Sequence, residues 1–175
     1  MSDNGRVSLL FLANLILLFV VGEFNHVISD WGIHLHADVL LVVFFGLFLT
    51  RISSLLYTVL LGFLADALHP VPFGTYAAGY IAMWLFFVWC QRRIRRQNRV
   101  HIQTVAALAQ LFWMAALTVL MGRHLLGEVY FWQRLLLDTI LSCTVVFVSA
   151  AAWCALQKKL LHFLGWNLDA QMSPL

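Results

Sequence analysis

The sequence predicts an all-α integral membrane protein, a single domain of six short transmembrane helices spanning residues 1–175. Three observations predict it. Of the 175 residues, 62% are hydrophobic and 11% charged, whereas a soluble domain is about 45–50% apolar and about 25% charged. The apolar residues fall into runs near the roughly 17–25 residues that a membrane-crossing helix needs. The breaks between runs are short and polar, so the length accommodates six spans and almost no domain outside the bilayer.

The first span, residues 7–22, follows Arg6 directly and holds Asn14 as its only strongly polar interior residue. With no small-residue cleavage site after it, it is expected to be a retained helix and not a signal peptide. A polar stretch, Glu23 to Ala37, carries Glu23, His26, Asp30, His34 and His36 and is expected to be solvated. The second span, 35–50, is short and ends at Arg51. The third, 52–68, begins at once, so the two make a tight hairpin. His69-Pro70-Val71-Pro72 then forms a turn, because proline ends one helix and is tolerated at the start of the next. The fourth span is 73–90, the fifth 102–121 and the sixth 135–156. Lys158, Lys159 and an amphipathic tail close the chain.

Cytoplasmic loops carry the excess of lysine and arginine. Six spans with both termini cytoplasmic place nine of the eleven basic residues inside and leave Arg123 and Arg134 outside. A bacterial inner-membrane location with that orientation is the expectation. Five of those residues, Arg92, Arg93, Arg95, Arg96 and Arg99, form one run after the fourth span. It lies too close to the bilayer, and is too short, for nucleic acid. Attraction to anionic lipid headgroups, about 1 kcal/mol per basic residue, accounts for it.

The most informative stretch is Gly62 to Tyr80. Gly74, Ala78 and Ala82 recur every four residues and clear one helix face of bulky side chains, with Gly62 as a notch on the preceding helix. Small-residue faces let helix backbones approach in lipid. They serve ordinary helix packing or a shaped groove. Asp66 lies near the end of the third span, where the helix dipole disfavours a carboxylate. The free N–H groups of the next helix, around Phe73 to Thr75, are its expected partners. The clamp is one reading, and a substrate or proton site is the other.

Asp138 with Ser142 and Ser149, and Gln103 with Gln110, make polar stripes on the last two spans and read as interhelical hydrogen bonds. His34-x-His36-x-Asp38 puts three potential metal ligands on one side of an extended segment. Its apolar surroundings favour polar interface residues instead, and no metal site is assigned. Cys90, Cys143 and Cys154 lack metal or disulfide spacing and are expected to pack. The HExxH, GxSxG and GxGD patterns are absent. No catalytic residue, enzymatic activity or cofactor is expected.

The layout as a whole resembles the family of the rod shape-determining protein MreD. The resemblance rests on six short spans, both termini inside, the basic loop after span four, and a G-x-x-x-D…P-x-G hairpin, here Gly62, Asp66, Pro72 and Gly74. It departs from the family pattern at Ala37-Asp38, where many members carry a proline, and in its histidine-rich segment. The resemblance implies a non-enzymatic scaffold of the bacterial cell-elongation complex that binds the bitopic protein MreC. It also implies cell-wall elongation proteins as partners, in support of rod shape and peptidoglycan synthesis. The implied fold is similar to the substrate-binding component of energy-coupling-factor transporters. That kinship supplies an alternative function, a solute-binding membrane subunit of a vitamin-type transporter.

Overall fold

Six α-helices occur among the described residues: α1 Asp3–Ile28, α2 Asp38–Phe48, α3 Ile52–Leu68, α4 Thr75–Gln91, α5 Arg99–Met121 and α6 Val129–Phe163. The structure, a computed structural model, describes residues 3–49, 52–69, 71–91, 98–121 and 129–163. No strand occurs among them. Helices α1, α5 and α6 are long and apolar enough to cross a membrane, and α2 and α3 are shorter apolar helices.

The organising element is α2. All eleven of its residues are buried, as a helix that is apolar on every side must be. At 1.5 Å per residue it is only about 16 Å long, roughly half the ~30 Å hydrocarbon thickness. The expected span 35–50 is therefore a short core helix, flanked by an extended segment over residues 33–37. It lies chiefly against α4, with α3, α5 and α6 also touching it. Its last carbonyls, which no helix can satisfy internally, are met from outside. Gln91 donates to Leu47 O at 2.8 Å and Ser54 Oγ to Leu49 O at 2.6 Å.

The outer helices pair as α3 with α4 and α5 with α6. The α3–α4 contact is closest at Gly62. A Cβ built there would lie 2.5 Å from Ala77 Cα and 2.9 Å from its nitrogen, so only glycine permits this approach. Between α1 and α6, the fully buried Asn14 accepts from Gln157 Nε2 at 2.9 Å and from Trp153 Nε1 at 3.3 Å. Ile16, Phe112 and Val148 are among the large apolar side chains left exposed on the outside of the bundle. A soluble monomer rarely carries so much apolar surface, and lipid is its natural solvent.

Helix ends depart from the sequence reading at several places. Helix α1 runs through Gly22 to Ile28, because a single glycine is tolerated within a helix and here meets nothing within 4 Å. Residues 23–28 of the stretch read as solvated are thus α-helical. Helix α6 continues unbroken past Lys159 to Phe163 and begins at Val129, a length of about 52 Å. The third helix coincides with residues 52–68.

Candidate functional site

The Gly62–Tyr80 hairpin is built around Asp66. Its Oδ1 accepts from Tyr76 N at 2.7 Å, and its Oδ2 from Gly74 N at 2.9 Å and Ala77 N at 3.2 Å. The carboxylate is buried and serves the first turn of α4 as a cap delivered from α3. The favourable N-terminal dipole of α4 therefore offsets the adverse C-terminal end of α3. The clamp reaches two residues further into α4, to Ala77, than the expected Phe73–Thr75. Gly74 adopts φ +97, a backbone that L side chains rarely take. Pro72 is exposed, and its carbonyl accepts from Thr75 N at 3.1 Å and from Thr75 Oγ1 at 2.7 Å.

The five motif residues do not form one site. Gly62, Asp66, Pro72 and Gly74 build the hairpin, whereas Ala78 is exposed and turns away from it. Ala78 and Ala82 line an apolar groove of about 870 Å³ between α4 and α5. It runs from Gly74 to Phe86 along α4, about 18 Å, facing Leu108 to Leu120 of α5. Trp113 bridges the two helices at one level, its ring packed directly on Gly79 and its Nε1 donating to Asp38 Oδ2 at 3.2 Å. Of the arginine run, Arg99 is exposed at the start of α5. Arg92, Arg93, Arg95 and Arg96 lie outside the described residues.

A second polar cluster gathers at the same end of the bundle as Asp66. Apart from Ala37 O, which accepts from Leu40 N at 3.0 Å, the backbone of segment 33–37 is held by side chains from two helices. Asn25 of α1 pairs with both the N–H and the C=O of Leu35, each at 2.8 Å. From α6, Asp138 accepts from His34 N and Ser142 from His36 N, both at 2.9 Å. The α6 stripe thus binds extended backbone and not another helix, while Ser149 bonds within its own helix to Val145 O at 2.6 Å. On α5, Gln110 is fully buried and finds no interhelical partner among the described residues.

Asp38 is the centre of this end. It accepts from Tyr80 Oη at 2.9 Å and from Trp113, and lies 3.6 Å from His36 Nδ1. The rings of His34 and His36 stand 4.8 Å apart, and His69 stacks on Tyr76 at 4.7 Å. Burial, helped by the neighbouring His36 and His69, pushes the His34 imidazole below its ordinary range, against the pull of Asp138 and Asp38. Among the described residues no three His, Cys, Asp or Glu side chains converge as metal ligands. These histidines border a cavity of about 470 Å³ between α1, the extended segment and the end of α3.

The sequence reading missed Asn25 and the Tyr80–Asp38–Trp113 connection. A signal for Asn25 was present. Asn14 and Asn25 are eleven residues apart, three helical turns, and so share one face of a helix that continues past Gly22. Comparison with protein-family models, with curated proteins and with solved structures finds no match to this chain.

Proposed function

We propose that this chain is a non-enzymatic scaffold of the bacterial cell-elongation complex, resembling MreD, that docks the membrane helix of an MreC-like single-span partner. The observation that carries the reading is the uncovered small-residue face. Ala78 and Ala82 are not spent on the hairpin with α3. They line an open groove whose far wall is α5. A floor of small residues lets a partner backbone come close and gain van der Waals contact that lipid does not supply. In this reading all six helices belong to one inner-membrane unit with both termini cytoplasmic, similar to the substrate-binding component of energy-coupling-factor transporters. The arginine run sits on anionic headgroups, and other elongation proteins gather through the partner.

The alternative, a solute-binding subunit of a vitamin-type transporter, draws on the polar cavity beside His34, His36 and His69. Co-purification in mild detergent separates the two, yielding a single-span protein in the first case and a bound small molecule in the second. The groove is tested with Ala78→Leu and Ala82→Leu, reading partner association beside the amount of folded protein. The scaffold reading predicts lost association with folded protein unchanged. Association that survives both substitutions refutes the groove as the interface. Gly74→Leu is unsuitable for this purpose, since the positive φ of Gly74 strains any side chain there.

A further inference from the structure

We propose that the cavity between α1, the 33–37 segment and the end of α3 is a binding site for a small organic cation bearing N–H donors, a primary ammonium on an apolar body. Its volume, about 470 Å³, falls within the roughly 300–1,000 Å³ typical of small-molecule sites. Charge selects the sign of the ligand. Glu23 and Asp38 line the cavity and, among the described residues, no lysine or arginine does.

Hydrogen bonding selects donors over acceptors. His69 Nδ1 lies 2.9 Å from Ala65 O, and a carbonyl can only accept, so Nδ1 carries the proton. The Nε2 of the neutral ring is then a lone pair. His36 Nδ1 lies 3.6 Å from Asp38 Oδ2 and adds a second polar ring to the cavity wall. The Asn25 amide is oriented by its two bonds to Leu35, so its Nδ2 points at His34 Nε2, 3.4 Å away. His34 therefore keeps its proton on Nδ1. The two oxygens of Asp38 are already taken by Tyr80 and Trp113, and the His69 Nε2 lone pair and the Glu23 carboxylate are acceptors on the cavity wall. An ammonium group satisfies that set, whereas a phosphate or carboxylate meets repulsion. Leu18, Leu41 and Leu68 supply the apolar wall.

The proposal does not rest on the scaffold reading, because the cavity and the groove share no lining residue, and either can fail alone. The test uses the full-length protein in nanodiscs of zwitterionic lipid, with empty nanodiscs subtracted. The probes are 2-phenylethylammonium, its neutral isostere 2-phenylethanol, and 3-phenylpropionate, read by equilibrium dialysis. Saturable one-site binding of the ammonium is expected, about tenfold tighter than the alcohol for one charge-assisted hydrogen bond, with no binding of the carboxylate. Glu23 is exposed, so Glu23→Gln leaves the fold intact and weakens ammonium binding. His69→Phe keeps the ring on Tyr76 and weakens it too, while Ala65 O retains the His69 backbone N–H at 3.1 Å. The groove variant Ala78→Leu leaves binding unchanged. Equal affinity for ammonium and alcohol, preference for the carboxylate, or indifference to both cavity substitutions overturns the proposal. Saturable zinc binding that excludes the ammonium overturns it in favour of a metal site.

Discussion

Replacing Asp66 is the sharpest perturbation of the hairpin. Leucine at this position keeps comparable bulk but removes the acceptor for three backbone N–H groups. Two of these belong to the buried residues Tyr76 and Ala77, and the third to the half-buried Gly74. A buried donor left without a partner costs about 1–3 kcal/mol. The Gly74 N–H can turn to water, so two orphaned donors set the loss for Asp66→Leu at about 4 kcal/mol. Asparagine retains one oxygen and keeps the short bond from Tyr76, but its amide group faces Ala77 N where Oδ2 had been. One orphaned donor puts Asp66→Asn at about 2 kcal/mol, half the loss. The assay is reversible unfolding of the purified protein by SDS in mixed micelles, followed by circular dichroism. Equal losses for the two variants refute the hydrogen-bond account and make the charge itself the requirement. No loss for either means that the first turn of α4 does not depend on Asp66.

Further outcomes follow from single contacts. Gly74→Ala lowers stability by about 1–3 kcal/mol through backbone strain at φ +97, its methyl meeting nothing within 4 Å, as the same SDS titration will show. Gly79→Ala drives the added methyl into the Trp113 ring, costing about 1–3 kcal/mol by overpacking, and a shift in tryptophan fluorescence reports the displaced indole. The lowered His34 pKa makes the native state the poorer proton binder, so its contribution is complete above the unfolded value of 6.5 and is lost as pH falls below it. His34→Gln should flatten the fall in unfolding midpoint between pH 6.5 and 5, and an unchanged slope would show that another group carries it.

What could be read from the sequence was local. The clamp in the Gly62–Gly74 hairpin joins residues at most eleven positions apart, and proline, glycine and an out-of-place acid announce it. The small-residue face was equally visible as a four-residue repeat, but which side of α4 it served depended on where α5 lies. Contacts between residues 34–36 and 138–142 join segments about a hundred residues apart, and nothing local marks them. Helix α2 was mistaken for a full span because an all-apolar run reads the same in lipid as in a protein core. Its eleven-residue length is the feature that separates the two. Asn25 was hidden by ending α1 at Gly22.

The central claim is that the α4–α5 groove receives a partner helix, and site-specific photocrosslinking in membranes tests it most directly. A benzophenone side chain is placed at Ala82 and at Phe112, which line the groove, and at Ile16 and Val148, which are exposed outside it. The account predicts adducts with a single-span MreC-like protein from Ala82 and Phe112 and none from Ile16 or Val148. Adducts from Ile16 or Val148, with none from the two groove positions, would contradict it.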